Sequence, residues 1–208
     1  MINNNNNDSI LLMQATNFAA TKHTNQRRKN EEKTPYIEHP IEVACILAQY
    51  NITDVNILVS ALLHDTIEDT KTTYEEIEKI FGPKIAKIVQ ECTDNKSLDK
   101  ITRKKLQIEH ASHISYEAAC VKLADKYSNV SGLLICPPKF WSQEEINGYA
   151  VWAYVACTTI FSSHKILMES PIKSDFDKLF QQFGITGITE EELVKKLDQY
   201  YENIDQSE

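Results

Sequence analysis

The run Leu62-Leu63-His64-Asp65-Thr66-Ile67-Glu68-Asp69 places one imidazole and three carboxylates in six consecutive positions, directly after the apolar stretch that begins at Ile57. Burying such groups costs several kcal/mol unless they are paired or bound to a metal. On a helix continued through this stretch, His64 lies over Glu68 and Asp65 over Asp69, one turn apart. Carboxylates packed this closely raise one another's pKa values, and a divalent cation relieves the repulsion by neutralising them. A polar helix end trailing into solvent is the other reading, and these eight residues alone leave it open.

Two further stretches carry chemistry. In Thr34-Pro35-Tyr36-Ile37-Glu38-His39-Pro40 a histidine precedes a helix that Pro40 can start. In Val121-Lys122-Leu123-Ala124-Asp125-Lys126 an aspartate interrupts an apolar helix face, with Asn129 one turn on. A carboxylate in such surroundings needs a partner, because buried carboxylates seldom go unpaired. The order along the chain is therefore His39, His64-Asp65, Asp125. Two basic clusters, Arg27-Arg28-Lys29 and Lys100 with Arg103-Lys104-Lys105, stand out from an acidic chain. Either is a solvated face or, if the fold brings it to a cleft, a place for a small anion.

The elements that must position these residues read as helices almost throughout. The chain has 208 residues, 42% hydrophobic and 25% charged, which suits one globular domain with a core of its own. Only five glycines and six prolines interrupt it. Apolar spacing predicts helices over 10–23, from Pro40 to about Gln49, and from a cap at Thr53 or Asp54 into the opening motif. Thr73 with Glu76 reads as a capping box, and Phe81-Gly82-Pro83 as a stop and restart. Further helices are expected over 83–93, 103–110, 116–130, 142–167, 175–183 and 189–202, with Ser142/Glu145 and Thr189/Glu192 repeating the capping box. No alternating strand pattern competes, so the fold class is all-α, a single compact multi-helix domain. Residues 1–9, rich in asparagine, read as a disordered polar terminus without a targeting signal.

Composition excludes several classes. The formal charge of −8 argues against a nucleic-acid polymer as partner, since that needs a basic face. No apolar run approaches the roughly 20 residues of a membrane span. Five cysteines without a Cys-x-x-Cys pair read as reduced thiols, and the expected location is cytoplasmic.

These stretches, together with Gln26-Arg27-Arg28-Lys29, Phe81-Gly82 and the Ala61–Thr70 segment, resemble the HD-domain metal-dependent phosphohydrolases. Within them the chain is most similar to the RelA/SpoT-homologue branch and its stand-alone Mesh-type alarmone hydrolases of eukaryotes. The resemblance spans about residues 10–185, expected as the HD domain, with 186–208 as a C-terminal helical extension. It implies that His39, His64, Asp65 and Asp125 hold a metal, typically Mn²⁺ in this family and suited to mixed imidazole and carboxylate donors. It implies Glu68 and Asp69 as the catalytic acid/base pair acting with metal-activated water. It also implies Arg28, Lys29, Lys100 and Asn129 as residues that meet the nucleotide.

The activity implied is removal of the 3′-pyrophosphate of guanosine tetraphosphate (ppGpp), giving GDP and pyrophosphate. Relatives commonly carry an arginine two residues after Asn129, where this chain has Ser131. That departure keeps two alternatives open: a phosphatase acting on the ribose-linked phosphate of NADPH, and a non-catalytic nucleotide sensor. Retention of Glu68 and Asp69 speaks against the sensor. Fewer than 40 residues follow position 170, too few for the synthetase domain of the long family members, so degradation rather than synthesis is expected. The sequence fixes no oligomeric state.

Overall fold

A computed structural model of the chain describes residues 4–205. Twelve helices follow one another within that range, with no strand among the described residues beyond a single bridge between Arg27 and Pro35. They are α1 (Asn4–Lys22), α2 (Glu38–Gln49), α3 (Val55–Leu63), α4 (Thr66–Asp69), α5 (Tyr74–Phe81), α6 (Pro83–Cys92), α7 (Lys100–His110), α8 (Tyr116–Ile135), α9 (Gln143–Ser163), α10 (Lys165–Met168), α11 (Pro171–Gln181) and α12 (Glu190–Asp205). The all-α expectation holds. No helix among the described residues is long and apolar enough to cross a membrane.

The helices form two compact units. One comprises the chain up to Arg28, Glu32–Asp94 and Ser115–Ser128; the other comprises Lys29–Glu31, Asn95–Ile114 and the chain from Asn129 on. In the first, α3 is the central element. Ile57, Val59, Ala61, Leu62 and Leu63 are all buried, so its apolar surface is not one stripe but nearly the whole cylinder. It packs against α1, α2 and α6, and the small Ala15 and Ala19 let α1 approach closely. Asp54 caps α3 by accepting from the Asn56 backbone N–H at 2.8 Å. The first half of α8 is buried through Ala118, Ala119, Val121, Leu123 and Ala124, and Lys122 ties it to α6 by donating to the Cys92 carbonyl at 3.3 Å. The core thus carries the end of α3 and the middle of α8 inward, with their polar residues attached.

Local chemistry explains where the sequence expectation needs correcting. The expected helix through His64 and Asp65 breaks there: α3 ends at Leu63 and α4 restarts at Thr66. Thr66 Oγ1 donates to the Leu63 carbonyl at 2.6 Å and His64 Nδ1 meets the Ala61 carbonyl at 2.8 Å, so side chains take carbonyls that the helical ladder would use. His39 lies not in a loop but in the first turn of α2, where Pro40 is tolerated because first-turn N–H groups lack ladder partners anyway. Helix α7 starts at Lys100 rather than 103 because Asp99 caps it, accepting from Thr102 N at 2.8 Å. Helix α1 already begins at Asn4, within the tract expected to be disordered; residues 1–3 lie outside the described residues. Glu76, expected to close a capping box with Thr73, pairs with Lys22 at 2.8 Å, whereas Ser142/Glu145 and Thr189/Glu192 close both arms of theirs.

In the second unit α12 packs on α9 and α7. Tyr200 is buried against Gly148, and Lys104 Nζ stands 3.4 Å over the Trp152 ring and 5.4 Å from that of Tyr200. A Cβ at position 148 would collide with the Tyr200 ring and stand 3.1 Å from Tyr200 Cβ, which a ring rotation cannot move. Gly148→Ala should therefore destabilise the protein by about 1–3 kcal/mol through overpacking, despite the better helix propensity of alanine. Adding Tyr200→Ala, which removes the colliding ring but keeps the Cβ, should reduce the cost of the Gly148 substitution in denaturant titrations. A single Gly148→Ala variant more stable than the parent would contradict this packing.

Candidate metal centre

Three separate segments of the first unit deliver the polar side chains that converge: the first turn of α2 (His39), the α3–α4 break (His64 and Asp65) and α8 (Asp125). His39 and His64 are 2% and 5% exposed. His39 Nε2 lies 3.1 Å from Asp125 Oδ1 and 3.7 Å from Asp65 Oδ2; His64 Nε2 lies 3.1 Å from Asp65 Oδ2 and 3.8 Å from Asp125 Oδ1. His39, His64 and Asp125 each offer one ligand atom, all within 4.8 Å of one another, and Asp65 adjoins them.

The protonation of His64 follows from its neighbours. A backbone carbonyl only accepts, so the Nδ1 facing Ala61 O carries the hydrogen, and a neutral ring then presents a lone pair at Nε2. That Nε2 is buried and makes no hydrogen bond among the described residues, because Asp65 approaches without hydrogen-bond geometry. A buried nitrogen lone pair facing two carboxylates suits a bound divalent cation, and the donor set, two imidazoles and two carboxylates, fits one. With the four groups alone, burial opposes every charge, yet the Asp65 and Asp125 carboxylates outweigh it and hold His64 well above its usual pKa. Burial likewise opposes ionisation of Asp65, but His64 and then His39 keep its carboxyl well below the ordinary range. For Asp125 burial is overcome first by the Lys126 ammonium and then by the histidines.

Two partners orient the carboxylates from behind. Tyr36 donates its hydroxyl to Asp65 Oδ2 at 2.5 Å, and burial followed by the Asp65 charge pushes the phenol well above its ordinary pKa. Lys126, itself buried, holds Asp125 Oδ2 at 2.8 Å and leaves Oδ1 for the histidine side. Neither role was evident from spacing, although both residues sit within the quoted motifs.

Glu68 and Asp69 occupy different environments. Glu68 Oε2 accepts from the Asp94 backbone N–H at 3.1 Å. Burial, reinforced by the charge of Asp94, raises its pKa to about 7. Asp69 Oδ2 accepts from Gln26 Nε2 at 2.7 Å, and Gln26 Oε1 in turn accepts from His23 Nδ1 at 2.6 Å. Since an amide oxygen only accepts, His23 fixes the amide so that its NH₂ faces Asp69. His23 and Gln26 thus join the site unannounced by the sequence reading, which quoted Gln26 only as part of a motif.

Of the expected nucleotide-binding residues, Arg28 belongs to the first unit. Its backbone N–H donates to Thr34 O at 2.9 Å and its guanidinium stands 5.9 Å from the centre of the Tyr36 ring, whose hydroxyl reaches Asp65. Its neighbour Arg27 is spent on the loop itself, donating to the Thr24 and Gln26 carbonyls. Lys29, Lys100 and Asn129 belong to the second unit: Lys29 is exposed and its carbonyl accepts from Lys139 N, Lys100 opens α7, and Asn129 lies on α8 one turn past Asp125.

Comparison with known proteins gives this arrangement its relatives. A family model described as an HD domain matches residues 15–156. The chain is 48% identical over 174 residues to guanosine-3′,5′-bis(diphosphate) 3′-pyrophosphohydrolase MESH1 of Xenopus tropicalis, covering 83% of this chain and 94% of that protein. It is 45% identical over 175 residues to the Homo sapiens protein of the same name, covering 84% and 95%. A solved structure of a metazoan ortholog of SpoT, described as hydrolysing ppGpp, matches with a TM-score of 0.79 at 40% identity over 84% of this chain and 96% of that one. The chain therefore belongs to the HD domain family and, within it, to the group of the MESH1 proteins.

Proposed function

We propose that this protein hydrolyses ppGpp, with water adding to the proximal phosphorus of the 3′-pyrophosphate, the bond from that phosphorus to the ribose 3′-oxygen breaking, and GDP and pyrophosphate leaving. The observation that carries this reading is the convergence of His39, His64, Asp65 and Asp125 beside Glu68 and Asp69 in a chain of this family. Residues 10–185 are then the hydrolase domain and 186–208 an extension of it.

In this reading His39, His64, Asp65 and Asp125 hold a Mn²⁺ ion. When bound, the ion supplies activation of water and polarisation of the phosphoryl group. Tyr36 and Lys126 keep Asp65 and Asp125 aimed inward. Glu68, whose pKa is raised to about 7 by burial and Asp94, retains a proton near neutral pH and gives it to the departing 3′-oxygen. Asp69, held by Gln26, accepts a hydrogen bond from the attacking water. Arg28 supplies a cation toward the pyrophosphate, with Lys29, Lys100 and Asn129 as further nucleotide contacts. Steady-state release of pyrophosphate from ppGpp, compared with phosphate release from NADPH, each with and without Mn²⁺, tests the reading. Turnover of ppGpp that needs the metal supports it, and binding without turnover of either nucleotide contradicts it.

Three variants test the assigned roles. Asp125→Ala should abolish bound manganese, measured by elemental analysis, while the helical circular dichroism signal survives; full metal content would remove Asp125 from the shell. Glu68→Ala should lower the turnover rate by at least about a hundredfold, as loss of a general acid does. Nucleotide affinity, measured by calorimetry, should change far less, and equal losses in both would point to a structural role. Arg28→Ala should raise KM roughly tenfold, equivalent to about 1.4 kcal/mol, with turnover nearly unchanged. Unchanged kinetics on ppGpp would take the Arg28 loop out of the site.

A further inference from the structure

The histidine from α2 is held from behind by a chain of hydrogen bonds that none of the assigned roles uses. His39 Nδ1 lies 3.0 Å from Ser128 Oγ, and Ser128 donates its hydroxyl to Glu42 Oε2 at 2.8 Å. A serine hydroxyl has one proton. With that proton committed to Glu42, the oxygen meets the imidazole as an acceptor, so Nδ1 carries the hydrogen. A neutral His39 ring therefore keeps its lone pair on Nε2, the atom that faces Asp125 and Asp65.

The placement is reciprocal between two helices. On α2, Glu42 follows His39 by three residues; on α8, Ser128 follows Asp125 by three residues. That spacing puts each pair on one helix face. Helix α8 thus supplies both a carboxylate in front of His39 and the hydroxyl behind it. Ser128 is 1% exposed, so water is poorly placed to replace the hydroxyl, whereas Glu42 lies at the surface end of the chain.

We propose that Ser128 and Glu42 are positioning residues for the metal centre, locking His39 in the Nε2-ligating tautomer and orientation. This rests on the metal-centre reading above. Groups that hold the far nitrogen of a ligating histidine typically contribute 10–100-fold to metal affinity. A plain tether between α2 and α8 would instead contribute to stability and leave metal affinity alone.

The two are separated by titrating metal-free protein with Mn²⁺ in a calorimeter, well below the unfolding temperature, and by measuring the thermal midpoint of the metal-free form. Ser128→Ala should weaken Mn²⁺ binding about 10–100-fold, and Ser128→Thr, which restores the hydroxyl, should recover most of it. Glu42→Gln, at an exposed position that tolerates the change, keeps an acceptor for Ser128 but removes the charge, and should weaken binding by a smaller factor. This variant decides the matter if either Ser128 variant fails to fold. Wild-type affinity in folded Ser128→Ala or Glu42→Gln protein, with only the thermal midpoint lowered, would overturn the inference. A wild-type protein that takes up no Mn²⁺ would overturn the metal centre itself, and the inference with it.

Discussion

Two imidazoles and two carboxylates share a space a few ångströms across, inside a protein, with their ligating atoms turned toward one another. That constraint organises the rest. In such a place each ionised group loses water, and the opposite charges offset the loss only where geometry and further hydrogen bonds are good. Asp65 and Asp125 obtain that help from the Tyr36 hydroxyl and the Lys126 ammonium. His64 Nε2 obtains no hydrogen bond among the described residues, although the carboxylates stand close by. An ion accepting that lone pair would complete a set that side chains alone leave short, and it would stabilise the folded chain increasingly as the free ion concentration exceeds its dissociation constant.

Helix burial serves this centre directly. Because α3 is apolar on nearly all sides, it can sit only at the middle of the first unit, and the chain leaving it emerges next to α2 and α6. The side-chain bonds of His64 and Thr66 to α3 carbonyls turn the chain at that point. The turn aims His64 and Asp65 at α2 and α8 instead of letting them run on along a helix surface. A continuous helix would have spread the four ionisable groups of the opening motif along one solvent-facing edge. The break divides them into a pair facing the buried histidine and a second pair, Glu68 and Asp69, whose surroundings differ. Glu68 sits among burial and negative charge, while Asp69 receives an amide donor fixed by His23. Two carboxylates in unlike environments are what paired acid and base chemistry requires.

Helix periodicity, capping residues and the isolated polar positions in apolar runs were readable in the sequence, because each depends on neighbours within a turn or two. Pro83 after Gly82, with Gly82 at φ 90, and the Ser142/Glu145 box are of this kind. His64, Asp65 and Asp125 stood out for the same reason, since an ionisable group beside or amid valines, leucines and alanines has to be answered by something, whereas His39, in a polar stretch, was named with them only through the resemblance to the HD-domain family. What answered it was not readable. Tyr36, Lys126, Gln26, Ser128 and Glu42 are ordinary residue types for a loop or a helix, and the contacts of Tyr36, Gln26 and Ser128 reach across 29 to 89 positions. The break at His64–Asp65 also escaped, since helix propensity cannot register two side chains that each compete with the backbone ladder for a carbonyl. The start of α7 at Lys100 was a nearer miss, because Asp99 is an ordinary capping residue in plain view.

The central claim is that these four side chains hold one divalent ion. The most direct measurement is diffraction from crystals grown with Mn²⁺, collected near the manganese absorption edge. The expected anomalous map has one dominant peak within coordination distance of His39 Nε2, His64 Nε2 and oxygens of Asp65 and Asp125. A map with its dominant peak elsewhere, or with none at this position in manganese-saturated crystals, would contradict the account.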